Sequence, residues 1–330
     1  MSGLLTEDEA LQAVAEDLLA AVNQSDGHWE FPWHACSARP TNAFSGRAFK
    51  GQNLVCLWAA AKRRKFEVHY WANAKAWERR GHPVRREELA RGTVIMVPVF
   101  DEDQGKAWTK ETKGIAKVIG PLGGDAEGGR MKKLLGFKRE PWYNHAQVDN
   151  PPSAIIPPPL PPGEAAYRVE AMLAAWRKNG GPALIHGGMQ ACWMGDKDRI
   201  QMPKRETFVS RRGISGHEWY VGTLAHEHVH ASGSKGRLKR KYGAKGSPAY
   251  AYEELIADAS ACFLCARFQM PVGMRDDHAH YVKNWLQVIG ERNQQKKLLS
   301  AIREAERAAD YILEMAGWPK SMINDGQVAA

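Results

Sequence analysis

The sequence predicts an α+β fold in two domains, on three observations. The stretch Asn150-Pro-Pro-Ser-Ala-Ile-Ile-Pro-Pro-Pro-Leu-Pro-Pro162 is too poor in backbone donors for a helix or an inner strand, and it reads as a semi-rigid extended connector. Before it, the strongly β run Thr93 to Phe100 (TVIMVPVF) lies among short helical segments; after it the pattern is mainly helical, with a small sheet. A chain of 330 residues with 44% hydrophobic content can bury a sizeable core and is long for one domain. The expected layout is an α+β domain over 1–149, the linker over 150–163 and a mainly helical domain over 164–330.

Thr6-Glu-Asp-Glu9 is a capping box, so a helix is expected from there to about Val22. Gly51 to Lys62 reads as a second helix and Trp71 to Arg80 as a third. Thr93 to Phe100 is a strand whose Pro98 suggests an edge or a strand end, and Gly114 to Gly120 and Trp142 to Val148 are shorter strand candidates. Gly123 to Arg130 is glycine-rich but lacks the ending of a phosphate loop and is taken as a turn. Past the connector, Gly163 to Asn179 is a helix ended by Gly180-Gly181, and Ala191 to Met194 with Arg199 to Met202 can pair as strands. Helices then follow at His217 to Ser232, from Tyr252 through Met270, at about His280 to Val288 and at Gln294 to Met315.

The chemistry concentrates in His226-Glu227-His228-Val229-His230. Residues four apart on a helix share a face, so His226 and His230 can aim imidazoles at one cation. Glu227, one step round, can reach a water on that metal as general base. His228 points away and is read as structural. A catalytic zinc usually has three protein ligands plus water. Glu254 supplies the third, with Asp258 on the same helical face accepting the remaining ring N–H of a ligand histidine, expected to be His226. Glu253 is the rival third ligand, because one residue of register decides between them. His278, His280, Tyr250 and Tyr252 are candidates for a transition-state donor, each equally readable as packing or surface.

No run reaches the roughly eighteen apolar residues of a membrane span, and Met1 to Asn23 is acidic where a signal peptide is basic, so a cytoplasmic, membrane-free protein is expected. The five cysteines form no framework; Cys262 and Cys265 lie in an apolar helix and are read as packing residues. The net charge of +9 is uneven: the first thirty residues carry seven acids and no Lys or Arg, whereas Phe31 to Asp149 holds 22 basic residues against 12 acidic ones. Basic clusters at Lys62-Arg63-Arg64-Lys65, Arg79-Arg80, Arg85-Arg86, Lys132-Lys133 and Lys138-Arg139 interleave with tryptophans, among them Trp33 and Trp71. That is the composition of a single-strand nucleic-acid surface, in which cations hold phosphates and rings stack bases. Trp58, in an apolar helical run, is expected in the core. A second basic run, Lys235 to Lys241, is placed to rim the metal cleft.

Several blocks together resemble ArdC-type antirestriction proteins. They are Gly222 to His230, Tyr250 to Asp258, Phe263 to Ala266, Asp198 to Phe208, His280 to Leu286 and Ala305 to Tyr311, with Pro32-Trp33, Arg39 to Asn42, Gly46, Phe49, Gly51 to Asn53, Trp71 to Ala76, Val84 to Val97 and Tyr143 to Val148 upstream. The chain departs from the family pattern at Arg85 to Gly92 and Gly105 to Lys138. The resemblance implies an N-terminal single-stranded-DNA-binding domain and a C-terminal zincin-like domain. It also implies a Zn2+ ion, or another divalent cation such as Mn2+, and a role on plasmid or phage DNA in conjugation and in shielding that DNA from host restriction. The alternative is a metallopeptidase that cleaves a host or regulatory protein and uses DNA binding for localisation; a third reading leaves the metal purely structural.

Overall fold

The structure, a computed structural model, describes residues 33–34, 38–100, 134–153, 160–273 and 291–318. The expected helix at 6–22, the strand at 114–120, the helix at 280–288, and Trp108, Lys132, Lys133, His278 and His280 lie outside the described residues. The chain forms two compact units, residues 96–140 with 1–10, and residues 11–95 with 141–330. In the first, the described residues belong to two strands, with Met96 buried. The larger unit takes in both the remaining N-terminal segments and the helices that carry the metal motif.

The first sheet has four strands in the order β1-β2-β4-β3, with β1 Thr41–Asn42, β2 Tyr70–Asn73, β3 Thr93–Phe100 and β4 Leu134–Asn144. β2 runs parallel to β1 and antiparallel to β4, placing Trp71 opposite Asn144 and Asn73 opposite Trp142. Helix α1, Gly51–Arg64, buries Leu54, Val55, Leu57 and Trp58 and ends in Lys62, Arg63 and Arg64, cations that suit the negative end of a helix.

Two sequence expectations are corrected here. Trp71 to Arg80 is not one helix: its first residues pair in β2, and Asn73 then caps the short helix α2, Ala74–Glu78, by accepting from the Ala76 N–H at 2.8 Å. Trp142 to Val148 is not one strand either. β4 ends at Asn144, whose side chain closes a capping box with Gln147 over a 3₁₀ turn.

Beyond the connector, α3 (Glu164–Lys178) leads to a three-stranded sheet in the order β5-β7-β6, with β5 Ala183–His186, β6 Cys192–Met194 and β7 Arg199–Met202. The expected β6–β7 pair is antiparallel; β5, parallel to β7, is an element the sequence did not announce. Helix α4, Gly216–Ser232, is set by a capping box between Ser215 and Glu218 and is buried on every face from Trp219 to Val229, the mark of a central helix. Helix α5, Pro248–Cys265, starts at a Ser247 cap with Pro248 in its first turn and packs along α4. The long helix α6, Glu291–Met315, closes the core with Leu298, Ile302, Ala305, Ala309 and Ile312, spaced to face α5. Cys262 and Cys265 are buried packing residues. Among the described residues no helix is long and apolar enough to cross a membrane.

Candidate metal centre

His226 and His230 sit one turn apart on α4 with their Nε2 atoms 3.1 Å from each other. Glu254 reaches in from α5, with Oε2 3.4 Å from His226 Nε2 and Oε1 3.4 Å from His230 Nε2. These three form a group whose donor atoms all lie within 4.8 Å of one another. A tetrahedral ion with bonds of about 2.0–2.1 Å has donor–donor edges of about 3.3 Å, so two imidazole nitrogens and a carboxylate oxygen fit one divalent cation with a fourth position left over.

The electrostatics favour positive charge at this point. Burial alone would lower the pKa of His230, but hydrogen bonds to Glu253 and Glu254 and the charges of Glu254 and Glu227 outweigh it and push it up to about 10. Burial would raise Glu254, yet the two imidazoles hold its carboxyl far below the usual carboxylate range. Either a proton or a metal ion satisfies such a site. Glu227 is 4% exposed, and its charge acts on His230 and on the Cys192 thiol of β6. A narrow cleft against His226 is lined by Glu218, Thr223, Asp258 and Val272.

His228 faces away from this group. Its Nδ1–H donates to the Leu224 carbonyl at 2.7 Å and its Nε2 accepts from Arg177 at 3.2 Å, while burial lowers its pKa to about 3, so it is neutral and structural.

The two flanking acids each meet partners that the sequence did not announce. Glu253 sits behind the ring of His230, its Oε1 3.2 Å from Nδ1, and is gripped by Arg240, whose Nε donates to Oε2 at 2.9 Å and Nη2 to Oε1 at 2.8 Å. Glu253 thus stands as an acid that orients the imidazole of His230. Asp258, expected on His226, accepts from Trp33 Nε1 at 3.1 Å and meets His34 Nε2 at 3.1 Å; the segment at 33–34 packs on the α5 turn beyond Glu254. Nothing in the sequence could have announced a contact across 225 residues.

Trp33 and Trp71 are corrected as nucleic-acid contacts. Trp33 is 1% exposed, its ring edge-on to Phe263; Trp71 is 0% exposed within β2, edge-on to Phe66. Large rings bury more area in a core than on a strand surface, and neither face is open to a base. Two cations also turn inward: Arg64 bonds Glu88 and the Arg91 carbonyl, and Arg85 donates to the Val148 and Ala146 carbonyls. Lys62, Arg63, Lys65, Arg79, Arg80 and Arg86 remain exposed. The second basic run splits likewise, with Lys235, Lys239 and Lys241 outward while Arg237 pairs with Asp198 and Arg240 with Glu253.

Comparison with known proteins agrees with this layout. Residues 8–121 match the family model of the N-terminal domain of anti-restriction factor ArdC, and residues 168–304 match that of a zincin-like metallopeptidase. The uncharacterized protein y4eC of Sinorhizobium fredii (strain NBRC 101917 / NGR234) is 29% identical over 313 residues, 93% of this chain and 92% of that one. The crystal structure of the antirestriction ArdC protein from the R388 plasmid in its metal-free form is similar with a TM-score of 0.66 at 25% identity, covering 93% of this chain and 97% of that one. Its Mn(II)-bound form gives 0.64 at 26% identity over the same shares. With an ArdC-type N-terminal domain followed by a zincin-like domain in one chain, this protein belongs to the ArdC family of antirestriction proteins.

Proposed function

We propose that this protein binds single-stranded DNA of a mobile element, shields it from host restriction, and holds a divalent cation at His226, His230 and Glu254 with Glu227 as general base. The observation that carries the metal half is the convergence of two Nε2 atoms and the Glu254 carboxylate at 3.1–3.4 Å beside a buried glutamate. The donor set suits Zn2+, and the Mn(II)-bound form of the R388 protein supports a divalent ion of less selective kind. Bound there, the ion supplies Lewis acidity and a lowered pKa for water. The chain's own part is to present two imidazole nitrogens and a carboxylate to it, to accept a proton from water on Glu227, and to keep that exchange out of bulk solvent. The exposed cations Lys62, Arg63, Lys65, Arg79, Arg80 and Arg86, with the net charge of +9, support a phosphate-led nucleic-acid surface.

A metallopeptidase acting on a host or regulatory protein is the second reading, and Glu227 favours it, since a structural metal needs ligands but no neighbouring base. Glu227→Gln separates the two. Metal content and single-strand affinity are expected to match wild type, and any peptidase activity to fall by about 10²–10⁴-fold. Restriction protection in cells is expected to survive; its loss with binding intact would transfer the function to hydrolysis.

A further inference from the structure

The geometry points to Arg240 as a positioning residue for the metal centre, acting through Glu253 on the ring of His230; this rests on the reading of His226, His230 and Glu254 as cation ligands. A ligand imidazole coordinates well only when its other nitrogen is held, because that partner fixes both tautomer and ring rotation. His230 aims Nε2 at His226 and Glu254, which leaves Nδ1–H to donate to Glu253 Oε1 at 3.2 Å. Glu253 cannot turn away. Arg240 binds both of its oxygens, through Nε at 2.9 Å and Nη2 at 2.8 Å, with the two side chains only 5% and 3% exposed.

The same guanidinium is anchored to the helix that carries the ligand. Nη2 also donates to the Val229 carbonyl at 2.6 Å and Nη1 to Ser232 Oγ at 3.1 Å. Arg240 thus ties the carboxylate on α5 to the last turn of α4, with His230 between them. The loop is shaped for this. Lys239 turns left-handed at φ 56°, and the Arg240 N–H returns to the Gly233 carbonyl at 2.8 Å. Tyr242 adds its hydroxyl to the His230 carbonyl. A Cβ at position 233 would meet both the Tyr242 hydroxyl and the Arg240 guanidinium, so the glycine there leaves the clamp its room. A lysine has no fork to span two carboxylate oxygens and a carbonyl together.

Arg237 gives the contrast. It belongs to the same loop and makes a fork of its own to Asp198, at 2.8 and 2.6 Å, but no bond leads from it to a ligand. The experiment strips the full-length chain of metal, titrates Zn2+ against a chromophoric chelator, and records the visible spectrum with Co2+. Arg240→Lys and Glu253→Gln are each expected to weaken Zn2+ binding about 10–100-fold and to change the Co2+ bands, while Arg237→Lys stays within about threefold of wild type. Should Arg240→Lys not fold, Glu253→Gln, an uncharged side chain of the same shape, carries the test. Threefold or smaller effects with an unchanged Co2+ spectrum would overturn the proposal, as would an equal loss in Arg237→Lys. A wild-type chain that takes up no Zn2+ would overturn the cation reading itself and this inference with it.

Discussion

Within five residues, three histidines divide between two opposite environments. His226 and His230 face the Glu254 carboxylate, whereas His228, on the other side of α4, is a neutral donor and acceptor beside Arg177. This division was legible from spacing alone, because a helix puts positions 226 and 230 together and 228 elsewhere. The acids were not. Glu253 and Glu254 are neighbours, and only the observed register assigns one to the donor group and the other to the back of a ring. A half-buried imidazole, His69, shows how loss of solvent translates into pH dependence. Burial lowers its pKa from 6.5 to about 4, so it stays neutral in the folded chain while the unfolded chain protonates. Its contribution is complete above pH 6.5 and is lost as pH falls toward about 4, at no more than about 1.4 kcal/mol per unit. Urea unfolding of the metal-free chain at pH 6.5 and pH 5 is expected to show a loss that shrinks in His69→Phe by up to about 2 kcal/mol.

Helix α6 is joined to the N-terminal segments by a buried charge network. Arg39 and Arg267 both donate to Glu306 Oε1 at 2.9 Å, and Arg267 also reaches Asp310 at 2.6 Å. The Arg39 and Glu306 side chains are 6% and 9% exposed, so removing the acid leaves two guanidinium groups facing each other away from water. Glu306→Ala is therefore expected to cost about 3–5 kcal/mol in equilibrium unfolding. A loss below about 1 kcal/mol would show that the network is solvated. Most elements could be read from local signals. The caps of α4, the apolar stripe of α6 and the β run at Thr93 carried their own evidence. The misses share a cause. Residues 71–73 form strand because β1 and β4 offer partners from 30 and 70 residues away, and β5 exists because β7 lies beside it in parallel; pairing of that kind leaves no local pattern.

Over the whole molecule, the exposed cations at 62–86 and the candidate metal donors His226, His230 and Glu254 are carried by different elements of the chain. Trp33 and Trp71, named for base stacking, are interior, as are Trp58, which was expected there, and Trp77, so the proposed nucleic-acid surface rests mainly on the exposed cations. If three to six phosphates are neutralised, the logarithm of single-strand affinity should fall with the logarithm of salt at a slope of about −2 to −4, and a flat response would contradict a phosphate-led surface. The metal centre can be tested by anomalous diffraction from crystals grown with Zn2+ or Mn2+. One ion per chain is expected, bonded to His226 Nε2, His230 Nε2 and a Glu254 oxygen at about 2.0–2.2 Å and absent in His230→Ala. An ion held by other residues, or one that persists at full occupancy in His230→Ala, would contradict it.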